Sequence, residues 1–145
     1  MSDSSAIDQA LLDLLLNDAA LRALLPDGVF FEEAGASMLH GGHSTRFVRL
    51  SVVEAIDEPV FGRRAYEDVL YAVIAVELST GVLNSRAAAA RIDVLLEDGA
   101  LTVTGYTPMV MCREARIRFV EVDDVDPAIR WSHRGGHYRV QQALV

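Results

Sequence analysis

The stretch YEDVLYAVIAVELS, residues 66–79, holds the longest uncharged apolar run of the chain, from Val69 to Val76. A run of this length is too short to span a bilayer. Its almost wholly apolar centre is typical of a strand buried on both faces, because a strand with one wet face would alternate with polar residues. Residues 66–79 therefore predict a central strand, around which the neighbouring segments should build a sheet.

An alanine-rich segment, NSRAAAARIDVLLEDG at residues 84–99, follows this strand. Asn84 or Ser85 is placed to cap the start of a helix, and Gly99 is placed just past its end. The small side chains allow the helix to approach a sheet closely. The segment therefore predicts a helix over about 85–97. Its apolar stripe is formed by Ala88, Ile92, Leu95 and Leu96.

The N-terminal region predicts helical structure as well. Ser5 can cap a helix that begins at Ala6. Asn17 or Asp18 can cap a second short helix, or the first helix can continue as far as Pro26. The amphipathic stripe of the first helix, at the spacing of one helical face, consists of Ile7, Ala10, Leu11, Leu14 and Leu15.

Three further segments predict strands. They are VFFEE at 29–33, RFVRLSVVEA at 46–55 and MVMCREARIRFVEVD at 109–123. Residues 100–108 are expected to hold a short strand, and residues 55–65 an exposed connection.

The second half of the segment 109–123 alternates in polarity. Arg116, Arg118 and, less regularly, Glu121 alternate with Ile117, Phe119 and Val122. Alternation of this kind predicts a strand with one wet face and one face on the core.

The C-terminal segment RWSHRGGHYRVQQALV, residues 130–145, carries a glycine pair between two strand-like runs. Glycine pairs are favoured in two-residue hairpin loops, where a positive φ is needed. The segment therefore predicts a closing hairpin with Gly135 and Gly136 at its turn. Taken together, residues 1–145 predict a single α+β domain, a mainly antiparallel sheet with an N-terminal helix and a second helix packed on one face.

Charge and composition narrow the function classes. The net charge is −8, and all 13 basic side chains are arginine. A net negative protein is unsuited to general nucleic-acid binding, which depends on neutralising phosphates. The polar, acidic N-terminus predicts no secretory signal. The single cysteine, Cys112, cannot form an intramolecular disulfide and is expected to lie within a strand as a small, partly buried residue.

All four histidines flank glycine pairs, His40 and His43 in the small-residue loop 34–45, and His133 and His137 near the C-terminus. They are the candidate metal ligands, but no Cys or Glu stands beside either pair at metal-ligand spacing. Exposed loop and strand histidines are the favoured interpretation. Neither a phosphate-binding loop nor a nucleophile motif occurs, so we expect no cofactor and no enzymatic activity.

Arginines offer a second kind of candidate site. The exposed connection contributes Arg63 and Arg64, and the strand 109–123 contributes Arg116 and Arg118. These cations either solubilise an exposed face or pair with acidic turns of another subunit, at 57–59 or at 123–126, where Asp123 and Asp124 lie. The sequence leaves both interpretations open.

Four segments together resemble the phage tail-completion, or tail-terminator, family. LLDLLLNDAALRALLPDGVFFEE at 11–33 is similar to the family's leucine-rich N-terminal helix and first short strand. The stretch from Tyr66 to Val103 resembles its apolar strand, alanine-rich helix and short strand. RIRFVEVDD at 116–124 and the pattern W-x-H-x-G-G-x-Y-R-V at 131–140 resemble its last two strands.

The resemblance implies a structural role. Members of the family form a ring, commonly hexameric, on the head-proximal end of the tail tube, where they stop tube polymerisation and meet the head–tail connector protein. DNA passes through such a ring without specific binding. The expected partners are therefore copies of this chain, the tail-tube protein and the connector, with no membrane involved. The expected location is the virion tail, assembled in the bacterial host cytoplasm.

The subunit-interface candidates are Arg63, Arg64, Arg116, Arg118, Asp123, Asp124, His133 and His137. A head–tail connector subunit or a tail-tube subunit is the neighbouring alternative. A small histidine-based metal-binding protein or enzyme is the alternative of a different class.

Overall fold

A computed structural model describes residues 5–32, 45–60, 63–78, 83–97 and 100–145. These described residues form three helices and five strands. They are α1 (Ser5–Leu16), α2 (Ala19–Leu24), β1 (Val29–Phe31), β2 (Arg46–Val60), β3 (Arg63–Leu78), α3 (Leu83–Leu96), β4 (Tyr106–Val122) and β5 (Arg130–Leu144). The fold is α+β, as the sequence predicts.

The strands form one sheet in the order β1-β2-β3-β5-β4. Only β1 and β2 pair in parallel, and the other neighbours are antiparallel. The β3 strand is central, as its apolar sequence predicts, and β5 lies between β3 and β4. The long strand β4 is therefore an edge strand with no described partner on its outer side.

All three helices pack on one face of the sheet, which we call the helix face. Ile7 and Leu11 of α1 and Ile92 of α3 are fully buried there against Tyr71 and Val73 of β3. The apolar stripes predicted for the helices are the side chains that make this core. Burial of such stripes supplies most of the stability of short helices, which are marginal alone.

The opposite face, which we call the open face, carries a smaller apolar cluster. Ala72, Ile74 and Val76 of β3 pack there with Phe47 of β2 and Trp131 of β5. Because β3 contributes to both clusters, it is buried on both faces, which confirms the interpretation of residues 66–79.

Polar contacts set the positions of α2 and α3. The Asp18 side chain accepts the Leu21 backbone N–H at 2.9 Å as the N-cap of α2, as predicted, and it also forms a bidentate ion pair with Arg91 of α3. At the start of α3, the Glu77 carboxylate accepts from the backbone N–H of Ser85 at 2.9 Å and from the Asn84 side-chain amide at 3.0 Å. A side chain of β3, Glu77, therefore accepts the hydrogen bonds at the first turn of α3. The sequence had predicted that Asn84 or Ser85 would take this capping role.

The predicted C-terminal hairpin is wrong. Residues 130–144 form one continuous strand, and Gly135 and Gly136 lie in its middle, opposite Ile74 and Val73 of β3. A Cβ built on Gly135 would lie 2.0 Å from the Val73 carbonyl oxygen. The glycines are therefore required by close approach of the neighbouring backbones, which is the other role that glycine has in strands.

Two smaller expectations also differ from the structure. Residues 55–60 and 63–65 continue β2 and β3 in antiparallel pairing, with Asp57 opposite Glu67, so this region is a strand extension rather than a connection. The short strand expected within 100–108 is absent up to Gly105, and strand structure begins at Tyr106 as the start of β4.

Candidate functional site

The two described histidines lie on β5 and do not converge. His133 and His137 are four residues apart on the open face, which in a strand separates their Cα atoms by roughly 13–14 Å. A single metal ion binds nitrogen ligands at about 2 Å, so these two side chains cannot share one. The placement of both residues at a turn is likewise wrong, because they belong to a central strand.

His133 is a core residue, only 3% exposed. Its ring stacks on Phe119 of β4 with centroids 4.3 Å apart, and its Nε2 lies 2.9 Å from an oxygen of Glu121. Burial, and then the positive charge of Arg49, hold the pKa of His133 below its ordinary value, against the opposing effect of Glu121. His133 is therefore held mainly as a neutral, stacked ring.

The metal hypothesis gains no support from the described part of the chain. No group of three His, Cys, Asp or Glu side chains lies close enough there to hold an ion. His40 and His43 lie outside the described residues. Cys112 is half-buried within β4, where the sequence placed it. None of the described helices is long and apolar enough to cross a bilayer.

Charged side chains converge instead on the helix face, in a cavity of about 230 Å³ between α3 and the strands β4 and β5. We call it the arginine cavity. Its lining includes five arginines and one carboxylate, namely Arg86, Arg113, Arg116, Arg118, Arg134 and Asp93.

Secondary structure explains why these side chains meet. Arg86 and Asp93 are seven residues apart on α3, two helical turns along one face, with Ala89 and Ala90 between them. Because the alanine side chains are small, they leave space for the cavity between this face of α3 and the strands β4 and β5.

On the sheet side, Arg116 and Arg118 share a face of β4 because strand side chains alternate. The antiparallel register places Arg118 directly opposite Arg134 of β5. Like charges placed in this way disfavour the fold by a few tenths of a kcal/mol up to about 1 kcal/mol.

Asp93, the only carboxylate among the described lining residues, is already used within the chain. Asp93 accepts from Arg113 Nη1 and from the Tyr138 hydroxyl, each at 2.5 Å. Burial and the hydrogen bond to Asp93 raise the pKa of Tyr138. Asp93, Arg113 and Tyr138 thus form a satisfied unit at one end of the cavity.

The remaining four arginines are not neutralised by the described residues. Neither Arg86, Arg116, Arg118 nor Arg134 has a carboxylate partner there, and the buried Nε of Arg134 has no hydrogen-bond acceptor in that part of the structure. Burial, and then the charges of Arg118 and Arg86, lower the pKa of Arg134. Five guanidinium groups against one carboxylate give the lining a formal charge of +4, within a chain whose net charge is −8.

This arrangement is suited to holding an anion. Guanidinium groups present forked N–H donors that match the two oxygens of a carboxylate. An unpaired buried donor also costs free energy that a bound acceptor would recover.

The other interface candidates lie elsewhere in the structure. Asp123 and Asp124 follow β4 in a turn, where Asp123 accepts from the Asp126 backbone N–H at 3.0 Å. The side chains of Arg63 and Arg64 lie outside what the structure describes. The interface role of all eight candidates stays a prediction, and for His133 burial leaves little surface for it.

The predicted division of β4 into a wet and a core face is confirmed in part, since Arg116 and Arg118 are exposed and Ile117 packs against the open-face cluster. Phe119, however, was expected on the core and is 46% exposed on the open face. Exposed apolar side chains lie near both ends of β4 and in the turn that follows it. These are Met109, Val110, Phe119, Val120, Val122 and Val125.

Four of the six charged residues that line the arginine cavity were not among the sequence candidates, namely Arg86, Asp93, Arg113 and Arg134. Arg134 falls inside the glycine-containing segment that predicted a turn. Arg86 could have been recognised, because it shares the helical spacing of Ala89, Ala90 and Asp93. That Arg86 faces Arg134 follows only from the long-range pairing of β5 with its neighbours.

Comparison with known proteins is informative for the fold. The chain matches no known protein-family model, and no curated protein is similar to it in sequence. Its fold is similar to that of a chain in the solved structure of the virion of a native gene transfer agent (GTA) particle, with a TM-score of 0.67 and 15% sequence identity. The similarity covers 97% of this chain and 96% of that chain, so the two share a fold over almost their whole lengths.

Proposed function

We propose that this chain is a structural virion protein that forms a ring on the head-proximal end of a phage-like tail tube. In this role it ends polymerisation of the tube and joins the tail to the head–tail connector. The observation that carries the proposal is the fold shared with a virion chain over 97% of this chain and 96% of that one. Coverage of both chains argues for a like building block rather than a shared fragment.

The open edge of the sheet supports an assembling protein. Strand β4 extends over 17 residues and has no described partner on its outer side. An exposed strand edge can pair with another chain, although the charged side chains and two bulges of β4 restrict such pairing to part of its length. Exposed Val120 and Val122 on this strand give a neighbouring subunit an apolar contact.

The proposed partners follow from the ring. Copies of this chain contact one another, with a hexamer as the stoichiometry that the family resemblance implies, and the two sides of the ring contact the tail-tube protein and the connector. DNA passes through the lumen without specific binding, since a net charge of −8 repels phosphates. The proposed location is the virion tail, assembled in the host cytoplasm, and the role is not enzymatic.

The role within the tail is tested by mixing the purified protein with tail tubes that lack a terminator and imaging the product by negative-stain electron microscopy. We expect single rings at one end of each tube and no further growth when tube protein is added. Long cylinders formed by this protein alone would instead assign it to the tube, and binding to isolated connectors only would assign it to the connector. Tubes that elongate with uncapped ends would refute the proposal.

A matched pair of variants tests the edge strand. Val120→Lys places a charge on the open edge, whereas Val94→Lys places the same charge on α3, where Val94 is already 67% exposed. We expect Val120→Lys to reduce ring formation strongly and Val94→Lys to leave it unchanged. Equal assembly of the two variants would exclude the part of β4 around Val120 from the interface between subunits.

A further inference from the structure

The arginine cavity lacks a neutralising partner, and the same chain carries a suitable one. We propose that this cavity receives the acidic turn 123–126 of a second copy of this chain, with the carboxylate of Asp124 among the guanidinium groups of Arg118 and Arg134. The inference rests on the proposed ring and adds to it the contact by which one subunit recognises the next.

The turn is built to present its side chains. Asp123 and Asp126 are used to shape it, since Asp123 accepts the Asp126 backbone N–H and Asp126 accepts the Ala128 backbone N–H, both at 3.0 Å. Asp124 is exposed and has no partner among the described residues, and Val125 beside it is 79% exposed. A preformed turn binds with a smaller loss of conformational entropy than a flexible segment.

The walls of the cavity fit such a tip. Guanidinium groups can hold the Asp124 carboxylate through paired N–H donors, while Ala89 and Ala90 of α3 provide an apolar wall for Val125. A tip with a carboxylate next to an apolar side chain thus matches a cavity that has both kinds of surface.

The turn cannot fill the cavity of its own chain. Arg118 lies on β4 and Asp123 follows the last residue of that strand, Val122, so the extended backbone separates their Cα atoms by about 17 Å and places the turn beyond the end of β4. The complementary charges therefore lie on two different surfaces of one molecule. A contact between two different surfaces is heterologous, and when the rotation closes it generates a ring.

A carboxylate of this chain is a better occupant than a nucleic-acid phosphate. The whole molecule is net negative, so it repels a polyanion at long range, while its own acidic side chains outnumber its arginines by 21 to 13. In an assembly, a neighbouring copy also brings the turn to the cavity at a high effective concentration.

Charge reversal tests the contact. Arg118→Asp and Asp124→Arg each place like charges in the proposed contact, and the double variant restores opposite charges with the positions exchanged. Asp13→Arg, at an exposed position of α1 where only a hydrogen bond to Gln9 is lost, is the control for a change in net charge. Circular dichroism verifies that each variant is folded, and mass photometry with sedimentation velocity measures assembly.

We expect each single reversal to raise the concentration needed for half-assembly at least tenfold. The double variant should recover only part of that loss, because Arg86, Arg116 and Arg134 remain in the cavity lining. Asp13→Arg should assemble like the unmodified chain. Rings that form equally well with Asp124→Arg, or a double variant no better than the singles, would overturn the inference and leave the proposed function standing. An unmodified chain that never forms rings, alone or on tail tubes, would overturn both.

A second measurement separates the turn from a free anion. Inorganic phosphate is added to assembled rings at the same ionic strength as a sodium chloride control. Dissociation by phosphate beyond that of chloride supports an occupied arginine cavity. Phosphate binding to the cavity of rings that Asp124→Arg does not weaken would identify a small-anion site and contradict the inference.

Discussion

Arg134 and Arg139 lie five residues apart on β5, and because that number is odd their side chains point to opposite faces of the sheet. On the open face, Arg139 donates to the carboxylates of both Asp68 and Glu114. On the helix face, Arg134 lies opposite Arg118 and has no carboxylate partner among the described residues.

The difference separates a residue that stabilises the fold from one available for another purpose. The bonds from Glu114 and Asp68 raise the pKa of Arg139, and Arg139 in turn holds the pKa of Glu114 below its usual range. Arg134 has the opposite environment, since burial and neighbouring cations lower its pKa. Folding alone gives no reason to gather four unneutralised arginines, so their function is expected to lie outside the single chain.

The largest effect on stability is expected from substitution of Gly135, the first of the two glycines between Arg134 and Arg139. In Gly135→Ala, the new Cβ would lie 2.0 Å from the Val73 carbonyl oxygen and 2.8 Å from the Ile74 Cα, both backbone atoms of the central strand. Neither atom can move without distorting the sheet, so we expect a loss of about 3 kcal/mol or more in the free energy of unfolding. Urea denaturation followed by circular dichroism measures it.

Gly136→Ala is the matched variant for that experiment. Its Cβ would approach the Ala115 carbonyl oxygen at 2.7 Å and the flexible Arg113 side chain at 2.9 Å. The edge strand β4 can yield more easily than β3, so the loss should be smaller than for Gly135→Ala. A Gly135→Ala variant as stable as the unmodified protein would contradict the close approach of β3 to Gly135. It would instead favour the interpretation that Gly135 lies in a turn.

Removal of Arg139 should have the next largest effect. Arg139→Gln leaves Asp68, which is nearly buried, without its cation. We expect the free energy of unfolding to fall by about 2–3 kcal/mol, less than for a fully buried pair because Glu114 is partly solvated. Arg134→Gln should change it by less than about 1 kcal/mol, because lost packing is offset by relief of like charges.

The same pair of variants has a pH dependence that sharpens the comparison. The pKa of Glu114 is depressed in the folded chain, so its contribution is present above its ordinary value and is lost as the pH falls through the depressed one. The penalty of Arg139→Gln should therefore shrink in acid. Equal losses for Arg139→Gln and Arg134→Gln at neutral pH would show that the two arginines do not differ as described.

His133 gives a smaller effect, visible only as a function of pH. The pKa of its buried ring is lowered from the ordinary value of 6.5, so the unfolded chain binds more protons as the pH falls below that value. Stability is complete above about 6.5 and declines below it. His133→Phe removes the titrating ring, so the free energy of unfolding of this variant should fall less than that of the unmodified chain as the pH is lowered below 6.5.

The control for His133→Phe is His137→Phe, which alters the partly exposed histidine of the same strand. Thermal unfolding at a series of pH values compares the two variants with the unmodified chain. If His133→Phe loses as much stability in acid as the unmodified chain, the charge state of this buried ring does not contribute.

The smallest effect has the opposite sign. Arg118→Asp replaces a like-charge pair across β4 and β5 by an attractive pair with Arg134, so it should raise the free energy of unfolding of the monomer by about 0.5 kcal/mol. Denaturation is measured at a concentration below that of assembly. A variant that weakens assembly while strengthening the monomer would show that these arginines oppose the fold they belong to.

The sequence predicted where the helices and strands lie better than it predicted how they pair and pack with one another. Leucine and alanine stripes located α1 and α3 because helical burial repeats every three to four residues. The apolar centre of β3 predicted burial on both faces because nothing in it could face water. Asp18 was a correct candidate cap because a carboxylate at that position can satisfy a free backbone N–H locally.

The glycine pair shows where such inference ends. A glycine pair fits two different structures equally well. A hairpin turn favours glycine because it needs a positive φ, and a central strand with close neighbours favours glycine because it has no Cβ. Only the approach of β3 and β4 from either side decides between the two, and that approach depends on residues distant in the sequence. The same limit applied to the arginine cavity, since Arg86, Arg118 and Arg134 meet through tertiary packing alone.

The central claim is that neighbouring subunits of a ring neutralise the arginine cavity, and cryo-electron microscopy of the assembled protein tests it most directly. We predict a closed ring in which the turn 123–126 of each subunit enters the cavity of the next, with the Asp124 carboxylate within hydrogen-bond distance of Arg118 or Arg134. A ring whose arginine cavities are open to solvent, or a protein that remains monomeric even with tail tubes, would contradict it.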